Sequence, residues 1–182
     1  MTWRYGAFEL DPSVPAEGVD AAEYLARKYD ATVVDSINER LRAIADSEGL
    51  PMAGSPVSGV RPNTFNAHRL LTAALAEGGE AVQQALADGL FRACWAEGRD
   101  TGDVAVLVEL AGEAGLSADR AREILVGNDY AEAVRAEERA AREAGITAVP
   151  TFVLDGRLAV SGAQPSAVLA AAVRRAAELA AG

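Results

Sequence analysis

Two side chains here could move sulfur or protons near neutral pH: the single cysteine, Cys94, and the single histidine, His68. One cysteine forms no intramolecular disulfide, and one cysteine with one histidine is too few for a zinc site of the usual cysteine/histidine kind. Cys94 stands in Phe91-Arg92-Ala93-Cys94-Trp95, beside the apolar positions Leu90, Phe91 and Trp95. It therefore reads as a buried or half-buried residue in mid-helix. It is not at a helix start, where free N–H groups favour a thiolate, and it belongs to no Cys-x-x-Cys. His68 follows a helix start at Asn63 or Thr64 and reads as a helix residue hydrogen-bonded to the loop before it. Near a thiol, its imidazole could exchange protons close to neutral pH. Ser161, Gly162 and Gln164 precede a helix that Pro165 can open. The free N–H groups of that helix could hold a carboxylate, or Ser161 or Gln164 could cap it. No residue is assigned a catalytic role, and no metal or other cofactor is expected.

The elements that position these residues are mostly helical. Residues 2–9 alternate Trp3, Tyr5 and Ala7 with Arg4, Gly6 and Phe8 and are expected to form a strand. Asp11-Pro12-Ser13-Val14-Pro15 breaks it. A helix is expected over 20–49, capped by Asp20 and stopped by Gly49. Residues 50–62 hold three prolines and read as a loop. Helices follow over about 63–78, 80–97, 100–115 (from Asp100 or Thr101 to Gly115), 117–126 (capped by Ser117) and 129–144. The last carries Glu138 and Arg142 at ion-pair spacing. Phe152-Val153-Leu154, the turn signal Asp155-Gly156 and Leu158-Ala159-Val160 then read as a hairpin, and a final helix covers about 165–180. Two pieces of a small α/β sheet thus flank a helical insertion.

Composition bounds the rest. The chain has 182 residues, half of them apolar but only 5% aromatic, and its many alanines favour helix. A chain of this length buries enough surface to hold a core without disulfides or metals. Its net charge of −10 repels nucleic acid and anionic membrane surfaces. No apolar run reaches the roughly 20 residues of a membrane span, and Met1-Thr2-Trp3-Arg4-Tyr5 does not open a signal peptide. The expectation is a cytoplasmic protein with no nucleic-acid or membrane partner.

Four segments in order carry a resemblance. They are Phe8-Glu9-Leu10-Asp11-Pro12; Arg61-Pro62-Asn63-Thr64 with Ala67-His68-Arg69-Leu70; Leu90-Phe91-Arg92 with Glu97-Gly98-Arg99-Asp100; and Gly145-Ile146-Thr147-Ala148-Val149-Pro150, leading through the hairpin to Ser161-Gly162-Ala163-Gln164. Together they resemble DsbA-family thiol–disulfide oxidoreductases of the FrnE-like type, collinearly over essentially the whole chain. The resemblance implies an α/β, thioredoxin-like fold with a large all-α insertion. Residues 1–19 and 128–182 would form the thioredoxin-like domain and 20–127 the insertion. It also implies a cis Val149–Pro150 bond, with the backbone of Val149 docking an extended substrate beside Pro150 and Thr151. Arg61, Asn63, His68 and Arg69 would line the same groove, and Ser161 and Gln164 would lie where relatives hold glutathione.

The family begins with a strand and a Cys-x-x-Cys at a helix start, ahead of the segment matching residues 2–9. Neither is found in these residues, so the fold is expected to be incomplete at its N-terminus, lacking the central strand that the family places between the strands at 2–9 and 151–154, and leaving the 2–9 strand without a sheet neighbour. Three explanations are open: an upstream start, a shortened non-catalytic relative, or a split protein. The implied function is disulfide exchange on protein or small-thiol substrates in a complete protein, this chain alone being inactive. Alternatives are a glutathione-dependent isomerase resembling 2-hydroxychromene-2-carboxylate isomerase, or a non-catalytic peptide-binding protein. Implied partners are thiol or disulfide substrates, a second copy, or a complementing N-terminal segment.

Overall fold

The computed structural model describes residues 2–52 and 59–181. Part of the loop expected over 50–62 therefore lies outside the described residues. The chain divides into two compact units, Met1–Glu137 and Glu138–Gly182.

The first unit is helical. A two-residue strand β1 (Val19–Asp20) leads into α1 (Ala21–Lys28) and α2 (Ala31–Ser47). Asp20 Oδ1 accepts from Glu23 N at 2.8 Å and caps α1. The single helix expected over 20–49 is broken at Tyr29, whose backbone is extended (φ −140°, ψ 151°). Asp30, a second residue of N-cap type, precedes α2. Strand β2 (Val60–Arg61) pairs antiparallel with β1, Val19 opposite Arg61, a pairing too short to leave a sequence pattern. Then come α3 (Phe65–Ala73), which winds on through a π-helical turn at Ala74–Gly78, and α4 (Glu80–Phe91), which does the same at Arg92–Ala96. The next helix, α5 (Val104–Ala114), starts later than Asp100 or Thr101 because Asp103 is its cap, accepting from Ala105 N and Val106 N at 2.7 and 3.0 Å. Gly115 (φ 103°) ends it, and Ser117 caps α6 (Ala118–Val126).

The core lies among α3, α4, α5 and α6. Leu70, Leu86, Leu107, Leu110 and Ile124 are fully buried there, with Ala73, Ala74, Ala93, Ala111 and Ala121 between them. Each such leucine or isoleucine contributes roughly 1.5–3 kcal/mol by leaving water, and the alanines let the helix axes approach closely. Helix α7 (Ala131–Glu143) follows, and the division between the units falls inside it.

Residues 2–9 form no strand, which corrects the sequence expectation. Among the described residues no strand pairs with them, and their backbone groups bond to helix side chains instead. Gln83 on α4 holds both the N–H and the C=O of Tyr5, each at 2.9 Å. Glu137 on α7 accepts from Ala7 N at 3.0 Å, and the buried Glu9 is ion-paired with Arg135. The rings of Trp3 and Tyr5 meet edge-on at 6.1 Å, and Tyr5 meets Phe91 at 6.3 Å. The alternation of large and small residues is real, but a strand needs a ladder partner as well as a pattern.

The second unit holds the end of α7, strands β3 (Thr151–Leu154) and β4 (Leu158–Ser161), and α8 (Ser166–Ala181). Glu138 and Arg142 on α7 form their expected pair at 3.9 Å. The strands make an antiparallel hairpin with Thr151 opposite Ser161 and Leu154 opposite Leu158. Asp155 and Gly156 both have positive φ (52° and 64°), and Arg157 N donates to Leu154 O at 3.1 Å. That is the turn the Asp-Gly pair predicts, with Arg157 as one extra residue before pairing resumes. Phe152, Leu154, Leu158 and Val160 share the less exposed face of the hairpin. Helix α8 packs against both strands, and Arg157 Nη1 donates to Leu179 O at 2.9 Å, tying the turn to the end of α8.

Candidate functional site

Six of the residues singled out in the sequence meet at one end of the hairpin in the second unit. Helix α7 ends at Gly145 (φ 81°), and the chain turns through Thr147–Val149 into β3. The Val149–Pro150 bond is cis. Val149 is 47% exposed. Thr151 Oγ1 donates to Ala148 O at 2.7 Å, closing the loop on itself. Across the hairpin, Gly162 N donates to Pro150 O at 2.8 Å, extending the ladder one pair beyond Thr151–Ser161. Gln164 Nε2 donates to Ser161 O at 3.0 Å. Ser161 is thus a strand residue and does not cap α8, whose first turn is closed by Val168 N on Pro165 O at 2.9 Å.

The ladder fixes which backbone groups of β3 are used. In an antiparallel pair, alternate residues bond to the partner and the others turn their N–H and C=O away. Since Pro150 bonds to Gly162, residues 152 and 154 share its phase. Thr151 and Val153 turn theirs to the opposite edge, where no strand of the described residues pairs. Val153 is 55% exposed. By the family resemblance, this is the edge at which the strand ahead of the Cys-x-x-Cys would pair. The role of Gly162 had no sequence signal beyond its place before the last helix.

The remaining expected residues lie in the first unit. Arg61, in β2, stacks over the Tyr24 ring at 4.3 Å. Asn63 spends its amide on backbone, donating to Val14 O at 2.7 Å and accepting from Phe65 N at 2.9 Å. It builds the turn into α3. His68 is half-buried in α3, its N–H bonded to Thr64 O at 3.0 Å and its carbonyl accepting from Thr72 Oγ1 at 2.9 Å. Arg69 is not a groove residue. It is 4% exposed, and its guanidinium donates to Asp129 O, Asn66 Oδ1, Ile124 O and Gly127 O. It closes the carbonyl end of α6 and the loop to α7, a long-range task that its local sequence does not disclose.

Cys94 lies half-buried in the π-helical turn after α4. Burial, and then the negative charge of Asp100, push its thiol pKa up, so at neutral pH it is a thiol and a poor nucleophile. A cavity of about 270 Å³ in the first unit is lined in part by Glu17, Gly18, Asn63, Asp100 and Asp103. Asp100 and Asp103 are engaged by Gly102 N and by the first turn of α5. Among the described residues no group of three or more His, Cys, Asp or Glu side chains is placed to hold a metal ion. No helix among them is long and apolar enough to cross a membrane.

Comparisons with known proteins fit this geometry. A family model described as a DSBA-like thioredoxin domain matches residues 1–174. The crystal structure of a probable DsbA oxidoreductase from Streptomyces coelicolor is similar, with a TM-score of 0.82 and 36% identity, covering 95% of this chain and 74% of that one. A structure of 2-hydroxychromene-2-carboxylate isomerase is similar with a TM-score of 0.71 at 20% identity, covering 99% of this chain and 83% of that one. The last is a likeness of fold alone. No curated protein matches the chain.

Proposed function

This chain belongs to the DSBA-like thioredoxin domain family, and we propose that it contributes the substrate-docking part of a thiol–disulfide exchange whose redox-active cysteine pair comes from outside these 182 residues. Its fold is the DsbA-like thioredoxin fold, mostly helical with few strands. The observation that carries the proposal is the cis Val149–Pro150 bond at the end of the hairpin, which leaves Val149 exposed. An extended substrate segment docks there in a strand-like way, through the backbone of Val149.

The chemistry divides accordingly. In two-cysteine exchange, a thiolate attacks a substrate disulfide, forms a mixed disulfide and expels one substrate thiolate. A second thiolate then attacks the mixed disulfide, releasing the reduced substrate and leaving the pair oxidised. Two cysteine thiols are needed and the chain has one. Cys94 is half-buried and its thiol pKa is raised, which suits neither step. The docking loop has no such requirement, since it holds the substrate by backbone bonds. Arg61, Asn63 and His68 enter this reading through the family resemblance. Asn63 is the weakest of them, because its amide is already used by the turn.

An insulin-reduction assay of the purified chain tests the division of labour. The expected result is turnover no faster than the uncatalysed reaction with dithiothreitol, unchanged by Cys94→Ser. Catalytic turnover that disappears in Cys94→Ser would assign the chemistry to Cys94 and overturn the proposal.

A further inference from the structure

We infer that Arg61, stacked on Tyr24, is the binding group for an oxyanion, a carboxylate or a phosphate, on the first unit. The inference shares Arg61 with the disulfide-exchange reading, but its observations all lie between Asp11 and Arg61 and its test involves no sulfur chemistry. The backbone of Arg61 is fixed by its pairing with Val19, and its guanidinium lies 4.3 Å over the Tyr24 ring. Its Nε is shielded from solvent and has no hydrogen-bond partner. Other part-buried guanidiniums of the chain do have acceptors. Arg69 has four, Arg99 has Glu109, Arg120 has Glu77, and Arg135 has Glu9. Among the described residues Arg61 is in no ion pair.

A shielded N–H without an acceptor is unusual in a native structure and points to a missing partner. The neighbouring charges say of what sign. Lys28 Nζ lies 4.4 Å over the same ring and bonds to Asp11 at 3.0 Å. Asp11 also accepts from Tyr24 Oη at 2.5 Å and from Ser13. That carboxylate is thus already engaged by Lys28, Tyr24 and Ser13. In a chain of net charge −10, the Arg61 guanidinium is left without a carboxylate among the described residues. The planar fork of a guanidinium matches the paired oxygens of a carboxylate or phosphate.

The test is a titration of the whole chain with inorganic phosphate and, separately, with acetate, at constant ionic strength set by chloride. It is followed at the arginine Nε–Hε resonances by NMR. The expected result is a saturable shift of Arg61 at concentrations at least tenfold below those that move the exposed Arg40. The arm that saturates tells phosphate from carboxylate. R61Q should abolish the saturable response, and R40Q should leave it within twofold. A linear Arg61 response parallel to that of Arg40, or a saturable one that survives R61Q, would overturn the inference. Should R61Q fail to fold, the comparison of Arg61 with Arg40 in the unaltered chain decides alone.

Discussion

Gln83 grips Tyr5 as a neighbouring strand would, its Oε1 accepting from Tyr5 N and its Nε2 donating to Tyr5 O, both at 2.9 Å. One side-chain amide thus makes the two-bond exchange that an antiparallel strand residue makes with its partner. Gln83 is 1% exposed, and it also donates to Leu71 O at 3.2 Å. The segment before α1 is therefore held to the helical core by a residue 78 positions away.

Replacing that amide leaves two backbone groups, the N–H and C=O of Tyr5, without these partners. Gln83→Leu keeps the volume and the helix propensity, so the loss comes from unpaired polar groups, each costing roughly 1–3 kcal/mol. The expected destabilisation is about 2–4 kcal/mol in urea unfolding, with the midpoint lowered and little change of slope. A change below about 0.5 kcal/mol would mean that water replaces the amide at no cost.

Arg69 makes a second prediction. Its guanidinium serves four acceptors on α3, α6 and the loop to α7. Lysine keeps the charge but has neither the fork nor the reach to all four. Arg69→Lys is expected to cost about 2–3 kcal/mol in the same measurement, whereas Arg42→Lys, on the exposed side of α2, is expected to cost nothing measurable.

These two residues show where the sequence stops being legible. Local signals are readable: Asp20 capping α1, Ser117 capping α6, Gly115 ending α5 and Asp155-Gly156 turning the hairpin all act on neighbours a few residues away. Residues 2–9 have a strand's alternation, yet their partners are the side chains of Gln83 and Glu137, which no periodicity discloses. Arg69 reads as a polar helix residue until the carbonyl end of α6 is seen around it. At the hairpin end, Val149, Pro150 and Thr151 were legible as a motif. The Gly162–Pro150 bond that sets the open edge of β3 depends on register, which the motif alone does not determine.

Acid should weaken the first unit through two depressed carboxylates. Ser13, then Tyr24 and Lys28, hold the Asp11 carboxyl well below its usual range. Arg120, then Tyr130, lower that of Glu77. A carboxylate whose pKa is lower in the folded state stabilises fully above its unfolded value, about 4. That contribution is lost as pH falls through the folded value. Melting temperature is therefore expected to be flat from pH 7 to 5 and to fall below about pH 4. The slope should be shallower in Asp11→Asn and Glu77→Gln. An unchanged slope in both variants would show that neither pair contributes.

Gly18 adds a steric prediction. Its φ is +76°, and a Cβ there would lie 2.6 Å from Val60 Cγ1 and 2.9 Å from Arg61 O. Gly18→Ala is expected to cost about 2 kcal/mol or more, from strain at positive φ and from parting β1 and β2. Gly49→Ala, also at positive φ (67°) but with nothing within 4 Å of the added atom, is expected to cost about 1 kcal/mol, so the difference isolates the close approach.

Docking of an extended substrate segment at the exposed Val149 backbone is tested most directly by an NMR titration of the isotope-labelled chain with a short extended peptide carrying one S-methylated cysteine, which binds without exchange chemistry. The expected result is saturable shifts and new protection from hydrogen exchange at the Val149 amide, with Phe152 and Leu154, already in the ladder, changing less. Saturable binding that leaves Val149 unmoved, or no binding at millimolar peptide, would overturn the proposal.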